Sequence, residues 1–212
     1  ASVYTPDNGF YISNNSLIID TQNNFIKDSS LLWLSDVKMK LPEDYKLISG
    51  PYKINPLTTL YEEKLKINFN SNNLIEGTGI YYLNKKNNKW IYLDTEYENN
   101  YYSTYILSNE VFCLLQELKP PVITKLIPDI NAVYQSEDIN KIEFYINDGL
   151  SGINNIKNIS LSIDEQPVLF EYNSYQKKVF YNFEDELEIG KHLLYISVKD
   201  NVGNLVTKKG AF

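Results

Sequence analysis

Arginine is absent from this chain, and histidine, cysteine and methionine occur once each. The formal net charge is −7, with lysine as the sole cation. A nucleic-acid surface needs a basic face built from Lys and Arg, so neither the sign nor the residue type suits one. A zinc site needs several His or Cys at ligand spacing. His192 and Cys113 lie far apart in the sequence, which argues against such a site. The lone cysteine cannot form an internal disulfide, and its apolar run Val111-Phe-Cys-Leu-Leu115 reads as a buried strand. A Ser-His-Asp or Cys-His set would have to use His192, which opens an alternating strand and reads as a partly exposed strand residue. Neither a Gly-rich phosphate loop nor a Gly-x-Ser-x-Gly elbow occurs. No stretch approaches the ~20 apolar residues that span a bilayer, and no useful length carries a helical period. Absence of Arg beside abundant Asn, Ile and Lys reads as an AT-rich coding bias.

What the chain has in plenty is tyrosine, 18 residues in 212. Tyr suits pleated, half-buried surfaces, so the composition leans to β-structure. Two segments stand out: Tyr145-Ile-Asn-Asp-Gly-Leu-Ser-Gly-Ile153 and Tyr195-Ile-Ser-Val-Lys-Asp-Asn-Val-Gly-Asn204. Each is an alternating strand that runs into an Asp and then a Gly/Ser/Asn turn.

Lys119-Pro-Pro-Val122 divides the chain, because a Pro pair cannot continue a strand interior and stiffens a connection. The expected domains are 1–119 and 120–212. In the first, strands are predicted near 16–20, 31–38, 52–55, 64–69, 78–83, 89–94, 101–107 and 111–116. The clearest hairpin joins Gly79–Leu83 to Lys89–Leu93 around Asn84–Asn88. In the second, strands are predicted near 122–127, 141–147, 156–163, 168–172, 178–182, 191–199 and 205–209. Seven short strands in about 90 residues is the count of an immunoglobulin-type sandwich, although the Cys–Trp–Cys core of antibody domains is missing. The predicted class is all-β: two consecutive β-sandwich domains, the second immunoglobulin-like.

Paired carboxylates can hydrolyse glycosides. Glu62-Glu63, Glu96, Glu98 and Glu184-Asp-Glu186 lie in polar, turn-rich stretches, and no buried carboxylate is expected. The better-motivated site is calcium: Asp148 and Asp200 end two strands, with Asn147, Asn201 and Asn204 as further oxygen donors. The competing reading has each Asp cap its own turn. Tyr81, Tyr82, Trp90, Tyr92, Tyr101 and Tyr102 cluster in adjoining strands and could stack on sugars. Alternation sends about half of them into the core. Asn14-Asn-Ser16 and Asn158-Ile-Ser160 match the glycosylation sequon, but this short motif arises by chance in an Asn-rich chain.

The second region resembles bacterial immunoglobulin-like domains. Its marks are Asp148-Gly-Leu-Ser-Gly-Ile153, Ile163-Asp-Glu-Gln-Pro-Val168, Gly190-Lys-His192 and Val198-Lys-Asp-Asn-Val-Gly-Asn204, which cover most of residues 120–212. The first region is similar to the β-sandwich that often precedes such a domain, through Gly50-Pro-Tyr52, Leu65-Lys-Ile-Asn-Phe69, Gly79-Ile-Tyr-Tyr82, Trp90-Ile-Tyr-Leu93 and Pro120-Pro-Val-Ile123. Their order resembles the C-terminal tail of exported lysostaphin-type zinc endopeptidases, which cut cell-wall peptidoglycan, and stalks of other surface proteins. In such peptidases the zinc ligands lie in a separate domain whose motifs are not in this sequence. The resemblance implies a non-catalytic accessory, spacer or docking region of an exported bacterial protein, located in the periplasm, at the cell surface or in the medium. No catalytic residue, cofactor or metal is assigned. Expected partners are a cell-wall polymer or other domains of the same protein, without nucleic acid and without membrane insertion; the oligomeric state is open. The start Ala1-Ser-Val-Tyr and the end Lys208-Lys-Gly-Ala-Phe212 are expected to be cuts in a longer or processed chain. The alternatives are a carbohydrate- or cell-wall-binding module and a self-associating surface-layer or filament subunit, for which free edge strands offer pairing surfaces.

Overall fold

A computed structural model describes residues 2–4, 10–14, 16–21, 30–57, 59–135 and 138–212. Asn15, in the first sequon, lies outside the described residues. The chain divides into two compact units, 1–118 and 119–212. Each is built from antiparallel sheets, and the fold is an all-β sandwich type. Among the described residues no helix is long and apolar enough to cross a membrane.

The first unit contains β1 (Ser2–Tyr4), β2 (Phe10–Ser13), β3 (Leu17–Thr21), β4 (Ser30–Asp36), β5 (Tyr45–Asn55), β6 (Leu60–Asn70), β7 (Thr78–Asn84), β8 (Lys89–Leu93), β9 (Glu96–Glu98), β10 (Tyr101–Ser108) and β11 (Val111–Glu117). They form two sheets, ordered β1-β4-β5-β11-β7-β8 and β2-β3-β6-β10-β9. Alternation assigns the faces. Leu65, Ile67 and Phe69 of β6 are fully buried, and they pack with Leu17, Ile19, Ile80, Phe112 and Leu114 in the main core. Each such side chain contributes about 1.5–3 kcal/mol by leaving water.

A second apolar cluster lies on the opposite face of the six-stranded sheet. Val111, Cys113 and Leu115 of β11 join Tyr81, Leu83 and Trp90 there, covered by Val37, Met39 and Leu41. Strand β11 is thus buried on both faces, the condition that produces a continuous apolar run.

Strand β5 is longer than the predicted 52–55, because Gly50-Pro51 reads as a break in sequence. In the fold it is a bulge: Leu114 pairs with Ser49 and Phe112 with Tyr52, leaving two β5 residues opposite one. Gly50 has φ +94°, and a Cβ there would lie 3.1 Å from the Phe112 carbonyl oxygen. The short strand β9 was not predicted. It pairs with β10 across Asn99-Asn100, both at positive φ (52° and 68°), the geometry of a tight hairpin turn.

The second unit contains β12 (Val122–Ile127), β13 (Lys141–Asn147), a 3₁₀ turn (Ile156–Asn158), β14 (Ile159–Ile163), β15 (Gln166–Pro167), β16 (Glu171–Asn173), β17 (Lys178–Asn182), β18 (Leu193–Lys199) and β19 (Leu205–Ala211). Its sheets are ordered β12-β13-β17-β16 and β15-β14-β18-β19. Between them lie Ile142, Phe144, Ile146, Leu161, Val179, Leu194, Ile196 and Val198. Of the predicted strand 168–172, residues 171 and 172 belong to β16, whereas 168–170 cross between the sheets from β15 to β16. Pro167 cannot extend the ladder as a donor, while Val168 and Phe170 turn inward against the core. The predicted strand 156–163 begins with the 3₁₀ turn, where Asn155 Oδ1 accepts from the Lys157 N–H at 2.9 Å.

Candidate functional site

The two Asp-ended strands of the second unit bring their carboxylates together. Oxygens of Asp148 and Asp200 approach within 4.8 Å. Asp148 Oδ1 accepts from the Leu150 N–H at 3.4 Å, and its Oδ2 accepts from the Ser151 hydroxyl and the Gly152 N–H. Asp200 Oδ1 accepts from the Val202 and Asn204 N–H groups at 3.0 and 2.8 Å, and Oδ2 accepts from Asn204 Nδ2 at 2.8 Å. All four carboxylate oxygens therefore hold donors of their own turns, the Asx pattern.

Asn201 ties the two turns to each other. Its Nδ2 donates to the Ser151 carbonyl at 2.9 Å, its backbone N–H donates to the Gly152 carbonyl at 3.0 Å, and its Oδ1 accepts from the Asn154 N–H at 3.2 Å. This seam was invisible in sequence because 47 to 50 positions separate the partners.

The expectation that no carboxylate is buried is corrected. Asp200 is 2% exposed and Glu117, in the first unit, 3%. Burial pushes the Asp200 carboxyl above its ordinary range; the Asn204 side chain opposes this, and the Asp148 charge adds to it. Glu117 accepts a hydrogen bond from the Tyr81 hydroxyl, whose own pKa burial raises far above normal. Sequence could not find Glu117, since it follows an apolar run as an ordinary strand-end charge would. The carboxylates named from sequence, Glu62, Glu63, Glu96, Glu98, Glu184, Asp185 and Glu186, are all exposed.

His192 makes two contacts that its sequence position gave no sign of. Nδ1 lies 2.7 Å from Asp164 Oδ2, and Nε2 lies 2.8 Å from the Glu188 carbonyl oxygen. Asp164 also accepts the Leu193 N–H through Oδ1 at 2.7 Å. The Glu188 carbonyl and then the Asp164 carboxylate raise the His192 pKa. On Asp164, burial pushes upward, but the Leu193 N–H and the His192 ring hold the carboxyl below its usual range. A pocket of about 570 Å³ opens beside the ring, with Val133, Ile139, Leu187, Ile189 and Phe212 among its lining residues. His192 brings no free ring nitrogen to it, and so no ready general base.

The aromatic cluster of the first unit is taken up by packing on both faces of its strands: Tyr81, Trp90 and Tyr92 lie in the second apolar cluster, Tyr82 and Tyr102 in the main core. Tyr81, Trp90 and Tyr102 are buried, while Tyr82, Tyr92 and Tyr101 are half-buried. Tyr81 packs edge-on against Tyr45 and Tyr92, with centroids 5.4 and 5.6 Å apart. Those rings furnish a core, and the sugar platform loses its largest member, Trp90.

A different aromatic surface occupies the outer face of β12-β13-β17. Ile142, Phe144 and Ile146 point inward, so Lys141, Glu143, Tyr145 and Asn147 point outward. Tyr145 pairs with Thr124 on one side and Lys178 on the other. The Lys125 ammonium lies 5.0 Å from the Tyr145 ring centroid, and Lys178 lies 5.9 Å from it and 5.7 Å from the Phe180 ring. Glu143 Oε2 accepts from Lys141 at 2.9 Å and Lys178 at 2.8 Å, and both bonds lower its pKa. Lys177 donates to Asn147 Oδ1 at 2.6 Å.

Compared with known proteins, the chain matches no family model and no curated protein.

Proposed function

We propose that this chain is a non-catalytic accessory region, a spacer or docking piece, of an exported bacterial protein such as a cell-wall metallopeptidase, with its second unit immunoglobulin-like. One observation carries the reading: the polar groups best suited to chemistry are spent on architecture. Asp148 and Asp200 hold their own turns, and His192 is spanned between two acceptors. The signature segments Asp148–Ile153 and Val198–Asn204 are the same ones that Asn201 ties together, which supports reading them as a domain framework. Two sandwiches joined through Lys119-Pro-Pro-Val122 present loops and sheet faces to partners without needing a reactive centre.

The test is a turnover assay of the purified chain on peptidoglycan and on soluble glycans. The expected result is no cleavage above buffer. Cleavage lost on Asp200→Asn or His192→Asn would overturn the proposal.

A further inference from the structure

The cavity of about 570 Å³ beside His192 is lined by two loops of the second unit, 131–135 with Ile139 and 187–192, and by the end of β19. Val133 and Ile189, one from each loop, are both 97% exposed. A lone exposed aliphatic side chain is ordinary. Two in the lining of one cavity, together with Ile139, Leu187 and Phe212, make an apolar surface that an occupant would dry. The volume falls within the ~300–1,000 Å³ of ligand pockets. We infer that this cavity binds a peptide segment in which a large apolar side chain lies between lysines or arginines. The inference rests on the docking reading above and gives it a site and a partner.

Both loops are tied down without a partner. On the first, the Asn131 N–H donates to the Ala211 carbonyl at 2.6 Å, and the Tyr134 hydroxyl accepts from the Asp129 N–H at 2.7 Å. On the second, His192 and Phe212 exchange both backbone hydrogen bonds at 3.1 Å, and the His192 ring meets the Glu188 carbonyl at 2.8 Å. Phe212 in turn packs against the core, its ring centroid 5.8 Å from that of His192. The apolar lining is thus held open by bonds already made, and binding is spared the cost of ordering it.

Charge selects the occupant. Glu188 belongs to the lining, Glu184, Asp185 and Glu186 immediately precede Leu187 on the same loop, and Asp138 precedes Ile139 on the other. All five are exposed, and none is in an ion pair with a described residue. Against them stand Lys191 and His192, and the His192 charge is already matched by the Asp164 carboxylate. An anionic amphiphile would meet these carboxylates as like charges. An amine with a single head would answer one of them. A peptide with cations on both sides of its apolar anchor answers carboxylates on both loops while the anchor fills the apolar lining.

The experiment is calorimetric titration of the intact chain with three end-blocked peptides, Lys-Lys-Phe-Lys-Lys, Lys-Lys-Ser-Lys-Lys and Glu-Glu-Phe-Glu-Glu. The expected result is binding of the first, with the serine and glutamate peptides at least about tenfold weaker. The double variant Val133→Ser with Ile189→Ser should weaken the first peptide at least about tenfold. Its melting midpoint should hold, because both side chains are exposed. The triple variant Glu184→Gln, Asp185→Asn, Glu186→Gln should also weaken it, whereas Glu171→Gln on β16 should not. The inference is overturned if the phenylalanine peptide does not bind up to about 1 mM, or if the serine or glutamate peptide binds as well. It is equally overturned if the Val133→Ser, Ile189→Ser chain binds like wild type, or if octylamine competes as well as the peptide. Any of these leaves the absence of peptidoglycan cleavage, and so the accessory reading, untouched.

Discussion

Nδ1 of His192 lies 2.7 Å from Oδ2 of Asp164, 28 positions earlier, while its other ring nitrogen faces the Glu188 carbonyl oxygen at 2.8 Å. Both partners are acceptors, so both nitrogens are satisfied together only when both carry protons, in the imidazolium. The contact closes the β14–β15 turn onto the entry to β18. Charged groups facing it are Asp164 and, more distantly, Glu188.

Folding raises the His192 pKa, so the folded chain holds this proton more tightly than the unfolded one. The stabilisation is complete below the ordinary histidine value of about 6.5. It drains away as pH rises through the higher folded value. The melting-temperature gap between wild type and His192→Asn should therefore narrow from about pH 5 to about pH 9. A gap that stays constant over that range removes the latch.

Asp200 shifts in the same direction, although there it is the neutral form that folding favours. Its raised pKa means that ionisation costs the folded state: stability from this group is greatest below the unfolded value of about 3.9 and falls as pH rises through the folded value. Asp148→Asn removes the neighbouring charge, so the Asp200 carboxyl, followed by carbon-detected NMR, should titrate at lower pH than in wild type. Because the turns supply the donors, a melting curve with chelator should coincide with one in calcium. A midpoint raised by calcium would restore the cation reading.

Asn201→Ala should lower stability by about 1–2 kcal/mol, since it removes two side-chain hydrogen bonds between the turns, to the Ser151 carbonyl and from the Asn154 N–H. Denaturant melts check it. A change within ~0.5 kcal/mol, the scale of an ordinary surface substitution, would mean the seam is not structural.

Trp90 is 6% exposed in the cluster of Tyr81, Cys113 and Leu115. Trp90→Ala should therefore lose about 3–5 kcal/mol of stability in the first unit, read as an earlier thermal transition. Retention on cell-wall material would change only as far as folding does.

Gly210 is fixed by a close approach. A Cβ there would fall 1.9 Å from Ile130 Cγ2 and 3.1 Å from its Cβ, so the Ile130 side chain would have to move. Gly210→Ala should cost about 1–3 kcal/mol through overpacking, and Gly210→Ala with Ile130→Ala should recover part of it. An unchanged melt for the single variant would show that Ile130 yields freely.

Strands 122–127, 141–147 and 178–182 were legible to the residue, because alternating apolar positions fix a period of two locally. The Gly50-Pro51 bulge was not. A break and a bulge share the same residues, and only the facing strand β11 distinguishes them. Nor could composition tell Trp90 in a core from Trp90 on a platform. That depends on Val37, Met39 and Leu41 folding over the sheet from about 50 positions away.

What the sequence determined by itself was the β class, the apolar faces and the Asp turns at two strand ends, since period and turn chemistry act over a few residues. Tertiary structure alone decided which of these groups meet. It joined the two Asp turns through Asn201, gave His192 a partner in Asp164, and used a left-handed residue in β12 to bring Lys125 over Tyr145. Each is a contact between strands distant in the chain, set by pairing and register, which no local propensity encodes.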